Sequence, residues 1–92
     1  MVYVTKVKVK KVIDGDTFQD NRSRFFRLAS VDAPDKGERG YQKAKETLDK
    51  FIGGEEMFVK VEGESYGRKV VTVRKHGEKT TINEKMRRRG YK

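Results

Sequence analysis

The chain has 92 residues, with 23 Lys or Arg against 14 Asp or Glu, for a formal net charge of +9. That length holds a single domain, residues 1–92, with one modest core, and that charge favours a polyanionic partner, nucleic acid ahead of an anionic membrane surface. With no cysteine and a single histidine, His76, the composition excludes a disulfide framework, a thiolate zinc site, a cysteine nucleophile and a two-histidine metal motif.

Residues 2–14 read as one long strand. Val2 and Val4 are in one phase, Val7 and Val9 in the other, and Val12 and Ile13 stand side by side. Such slips predict bulges and strong bending, as a barrel requires. The opening residues form a strand and not the apolar centre of a signal peptide, and no apolar run is long enough to span a bilayer. The expectation is a cytoplasmic monomer with no membrane partner, secreted only if a leader is removed. Asp14-Gly15 signals a turn, Thr17–Gln19 a second strand, and Asp20-Asn21-Arg22-Ser23 another turn. Residues 24–31 form a third strand, with Phe26 and Leu28 on one face and Phe25, Arg27 and Ala29 on the other. With Phe26 and Leu28 in the core, Arg27 points outward.

Residues 36–40 are a polar loop. Tyr41, Ala44, Leu48, Phe51 and Ile52 follow helical spacing, and Gly53-Gly54 supplies a left-handed cap. Met57, Val59 and Val61 alternate as a fourth strand, residues 63–67 form a loop, and Val70–Arg74 is a fifth strand. After a turn at Lys75-His76-Gly77-Glu78, Thr81 and Glu84 match a capping box that opens a short helix reaching Arg89, with Gly90 as its stop. The order predicts a mainly β, α+β fold: a five-stranded Greek-key OB barrel, with one helix after strand three and a short C-terminal helix. A half-open meander with a packed helix is the alternative.

Asp16 and Asp32 fall at the ends of neighbouring strands. Oxygen-rich, sulfur-free sites suit hard cations such as Ca²⁺ or Mg²⁺, although aspartates in turns serve equally as turn formers. No EF-hand loop is present. Arg27 lies inside a strand between Phe26 and Leu28. Its planar guanidinium can fork onto phosphate oxygens, as can that of Arg68, and an ordinary ion pair is the other reading of each. Asp35 can hold or deprotonate a water, or be a solvated loop residue. Tyr66, Tyr41 and Tyr91 can stack on bases, with Tyr41 better placed in the core. Lys85 with Arg87-Arg88-Arg89 reads as a solvated helix face that adds salt-dependent phosphate attraction, and His76 as an exposed turn residue with no catalytic role.

Five segments recur together: Val12-Ile13-Asp14-Gly15-Asp16-Thr17; Phe26 through Asp35; Gly40 with Ala44; Tyr66-Gly67-Arg68; and Asn83-Glu84 leading to Gly90. In that order they resemble the staphylococcal nuclease-like (thermonuclease) family from about Val7 to Gly90. The resemblance implies an OB barrel with packed helices and a Ca²⁺-dependent phosphodiesterase, Mg²⁺ or another divalent ion being the alternative. Its substrate would be DNA and RNA, single-stranded for preference, with little sequence selectivity. It implies Asp16 and Asp32 as carboxylate ligands, the Ala33 carbonyl as a further ligand, Arg27 and Arg68 as the phosphate-clamping pair, and Tyr66 lining the nucleotide pocket. Asp35 stands where the family has a water-positioning glutamate. It is shorter by one C–C bond, about 1.5 Å, and a misplacement near 1 Å costs a catalytic group on the order of a hundredfold. The competing reading is an OB nucleic-acid-binding module with weak or no catalysis. Asp16, Arg27, Asp32 and Arg68 favour the enzyme, and Asp35 leans the other way.

Overall fold

Apolar alternation builds a closed barrel. The computed structural model describes residues 4–92, so Val2 of the expected first strand lies outside the described residues. Strand β1 (Val4–Asp14) buries Val7, Val9 and Val12 and exposes Lys6, Lys8 and Lys11. The slip around Val12-Ile13 marks real irregularities, but the earlier one does not: Val4 is exposed, and residues 4–8 pair with residues 56–60 in unbroken register. Where β1 pairs with β2 (Thr17–Asp20), the register shifts between Val9 and Lys11 and again between Val12 and Asp14. Each shift bends β1, which pairs with β2 on one edge and β4 (Glu56–Ser65) on the other. Strand β3 (Phe25–Leu28) runs antiparallel to β2 and parallel to β5 (Arg68–Arg74), closing the barrel in the order β1-β2-β3-β5-β4. The half-open alternative is thereby excluded.

Two differences from the expected boundaries shape the site. Strand β3 stops at Leu28, short of residue 31, because Ser30 takes φ 58° and turns the chain out of the sheet. The loop expected over 63–67 shrinks to a two-residue turn, with Ser65 and Arg68 still paired. Tyr66 and Gly67 both have positive φ, 50° and 78°, as a type I′ hairpin requires.

Helix α1 (Tyr41–Ile52) buries Ala44, Leu48 and Ile52, the residues at helical spacing. Its left-handed exit residue is Gly54, φ 71°, while Gly53 stays at φ −56°. Helix α2 (Ile82–Arg88) is capped by Thr81, whose hydroxyl accepts the Glu84 N–H at 3.0 Å. Glu84 spends its carboxylate on Arg87 and Arg88. The buried Asn83 fastens α2 to the barrel: its amide donates to the Ala29 and Val71 carbonyls and accepts from the Val73 N–H. Inside, the Phe18 and Phe26 rings stack at 5.2 Å. The parallel β3–β5 junction sets Arg27 and Arg68 on the same side of the barrel as the β1–β2 turn.

Candidate active site

The β1–β2 turn is locally determined. The Asp14 carboxylate accepts the Asp16 N–H at 3.0 Å and closes the turn around Gly15. A β-carbon on Gly15 would lie 2.7 Å from those of Ala33 and Ala44, so only glycine lets the turn press against the acidic loop and α1 together. From the helix side, the Tyr41 hydroxyl donates to the Ile13 carbonyl at 2.8 Å.

This packing buries Asp16 and surrounds its carboxylate with donors. Oδ1 accepts from the Thr17 hydroxyl at 2.9 Å, and Oδ2 from the Ala33 N–H at 3.1 Å. Arg27, paired with Thr17 across β2–β3, brings Nη2 to 3.5 Å from Asp16 Oδ2. Its Nη1 donates to the Leu28 and Val31 carbonyls at 3.0 and 2.8 Å, which sets the plane of the guanidinium. Arg68 starts β5 and donates to the Thr17 hydroxyl at 3.2 Å. Thr17 therefore accepts from one arginine and donates to Asp16, and both arginines are tied to a single buried carboxylate.

Other expected residues sit further out. Asp32 is exposed, and with Arg27, Ser65 and Lys92 it lines an open pocket of about 370 Å³. It also borders a shallow depression of about 540 Å³ shared with Ala33, Glu38 and Tyr91. Asp35 is exposed and belongs to a turn closed by Glu38: its N–H donates to Glu38 Oε1 at 2.7 Å and its carbonyl accepts the Glu38 N–H at 2.9 Å. Tyr66 stands at the hairpin tip, 96% exposed, next to the pocket-lining Ser65. The fold thus joins Asp16, Ala33, Arg27 and Arg68, sets Asp32 on the rim, and, among the described residues, gives Asp35 and Tyr66 no hydrogen bond or ion pair to them. Thr17 and Gly15 were missed as site-forming residues. Both lie in the quoted Val12–Thr17 run, but their roles come from cross-strand and helix contacts.

Burial pushes the Asp14 carboxyl up to about 6, with a side-chain hydrogen bond and the charge of Asp16 adding to the rise. The resistance of Asp14 to ionisation beside the Asp16 charge is a stress that a cation relieves. The donors at hand are carboxylate and carbonyl oxygens with no sulfur or imidazole, which fits a hard divalent ion. Among the described residues no three acidic or histidine side chains already form a metal-binding group, so such an ion would take further ligands from solvent or substrate. The family model for staphylococcal nuclease homologues matches residues 25–92. No curated protein matches the chain. The matched span contains Arg27, Asp32, Asp35 and Arg68, while Asp14 and Asp16 precede it and reach it through the barrel.

Proposed function

Because the chain belongs to the staphylococcal nuclease homologue family, we propose that it is a divalent-cation-dependent nuclease that hydrolyses phosphodiester bonds of DNA and RNA with little sequence preference. The observation that carries this reading is the tie of Arg27 and Arg68 to one buried carboxylate, Asp16, beside an exposed Asp32. Asp16, Asp32 and the Ala33 carbonyl would hold the ion, Ca²⁺ first and Mg²⁺ or another divalent ion as the alternative. When bound, the ion supplies Lewis-acid polarisation of the phosphoryl oxygens.

The chain's own residues do the rest. Arg27 and Arg68, whose planar guanidiniums can fork onto two oxygens, stabilise the negative charge that grows on the equatorial oxygens. Arg27 is oriented in advance by two carbonyls, so little reorganisation is left for the reaction. Asp35 orients the attacking water and accepts its proton, while Tyr66 offers a ring face to a base.

Denatured DNA incubated with Ca²⁺, then with chelator, tests the proposal. Cleavage that disappears on chelation and in Arg68→Ala is expected. Binding without cleavage under any divalent ion would instead establish the binding module, a reading favoured by the position of Asp35 outside both pockets. Restoring the missing methylene with Asp35→Glu is expected to speed turnover, by as much as about a hundredfold; an unchanged or lower rate removes Asp35 from the chemistry.

A further inference from the structure

A second surface on the barrel has the makings of a nucleic-acid contact. Lys6 of β1 pairs with Phe58 of β4, and Phe58 pairs with Arg74 of β5, making one row across three strands. The sequence neighbours Val7, Met57, Val59 and Val73 are buried inside the barrel, so this row faces outward. In the next row, Val4 pairs with Lys60 and Lys60 with Thr72. An aromatic ring therefore sits mid-sheet with a cation on each side. The His76 ring packs against it, centroids 5.5 Å apart.

Grooves flank the ring. One of about 230 Å³ is formed with Lys60, Arg74 and Lys79, and one of about 400 Å³ with Lys6, Glu56 and Lys75. Among the described residues, Lys6, Arg74 and Lys79 make no ion pair, whereas Lys60 lies 3.8 Å from Glu62 and Lys75 pairs with Glu55 at 3.1 Å. A face serving solubility alone needs the charges but not a partly exposed phenylalanine among them. A ring with cations at both cross-strand positions matches a stacked base and its flanking phosphates.

We propose that this face binds single-stranded nucleic acid, with a base stacked on Phe58 and phosphates on Lys6, Lys60, Arg74 and Lys79. A duplex buries its base faces and cannot offer one to Phe58. Strand β5 links the surface to the candidate active site: Arg68, Val70, Thr72 and Arg74 alternate with the buried Val71 and Val73 along one outer face. From Arg68 to Arg74 is about 20 Å at about 3.3 Å per residue, so a long strand reaches both places and a dinucleotide only one. The proposal rests on the nucleic-acid reading of the domain and not on its catalysis.

The test is anisotropy of a labelled oligothymidylate of about 20 nucleotides, with chelator present so that no cleavage intervenes. Phe58→Thr is expected to weaken binding at least about fivefold, with Phe58→Tyr close to wild type. Lys60→Gln and Arg74→Gln are each expected to lower the slope of log affinity against log salt by about 0.7. Hydrolysis of a thymidine dinucleotide by folded variants should stay at the wild-type rate. If thermal unfolding shows Phe58→Thr to be unfolded, Phe58→Leu replaces it, keeping an apolar side chain without a stacking ring. Wild-type affinity and slope in every variant would overturn the proposal. So would a loss confined to the cation variants, which would mark a generic polyanion surface. A wild-type protein that cleaves nothing under any divalent ion sinks the nuclease reading alone, and the anisotropy still decides this surface.

Discussion

Strand β2 closes on one buried aspartate, Asp20, and is directly preceded by another, Asp16, and the two live under opposite conditions. Asp20 is wholly enclosed, and its carboxylate takes four donors: the Arg22 and Arg24 N–H groups at 3.1 and 2.8 Å, and Nε and Nη2 of Arg24, both at 2.8 Å. Burial alone would raise its pKa, but the donors from Arg24 and Arg22 outweigh burial and hold it below the usual carboxylate value. Asp16 is also buried, yet its nearest guanidinium nitrogen stays 3.5 Å away, and its neighbour is a second acid, Asp14, pushed up to about 6. One end of the strand is an electrostatically closed turn. The other gathers carboxylates and arginines whose charges are incompletely matched within the protein. The same residue type at similar burial is structural where its partners saturate it, and suited to an external ion and phosphate where they do not.

Substitutions at the two ends should separate these duties. The largest effect is expected from Asp16→Asn, with cleavage falling on the order of 10³-fold, about 4 kcal/mol in barrier. Its folding stability should fall by only about 1–2 kcal/mol, because the amide oxygen can keep the Ala33 N–H while its NH₂, facing Thr17 Oγ1, takes away the acceptor of the Thr17 hydroxyl proton. Asp20→Ala should show the reverse. Orphaning two backbone N–H groups and the Arg24 guanidinium costs about 3 kcal/mol in a chemical denaturation curve, with cleavage per folded molecule unchanged. Gly15→Ala, which forces a methyl between Ala33 and Ala44, should cost about 1–3 kcal/mol and also slow cleavage, since the acidic loop must move.

The smallest effect lies in the pH dependence, measured with chelator present. The raised pKa of Asp14 makes the folded state bind its proton more tightly, so stability should increase as pH falls from about 6 toward 3.8. The lowered pKa of Asp20 acts oppositely. Its contribution is full above the ordinary value of 3.8 and is lost as pH falls further. Asp14→Asn should flatten the upper limb and stabilise the protein by about 1 kcal/mol at neutral pH, the gain being limited by solvent screening at a half-buried site. A neutral-pH stability lower than wild type in that variant would show that Asp14 is not under electrostatic stress.

The barrel was legible because the alternation of Phe26 and Leu28 against Arg27, the phase slip of β1 after Val9 and the spacing of Ala44, Leu48 and Ile52 are local records of what each element buries. The hairpin at Tyr66-Gly67 was hidden because tyrosine seldom adopts positive φ and the pair lacks the usual Asn-Gly or Asp-Gly signal. Asp20 looked like any turn aspartate. Its saturation by Arg24 depends on how tightly the turn closes, which composition does not reveal. Arg27 and Arg68 could be paired as a clamp through the family resemblance, but the Thr17 hydroxyl that ties Arg68 to Asp16 is a consequence of barrel closure, the two residues being 51 positions apart in sequence. The engagement of Asp35 with Glu38 was equally invisible in spacing.

Single-turnover cleavage of denatured DNA with Ca²⁺ by Arg27→Ala, Arg68→Ala and the double variant addresses the central claim most directly, provided all three unfold within a few degrees of wild type. If the two guanidiniums serve one phosphate, each single variant loses on the order of 10²–10³ in rate, and the double variant is little slower than the worse single one. A wild-type rate in either folded single variant would contradict a shared clamp.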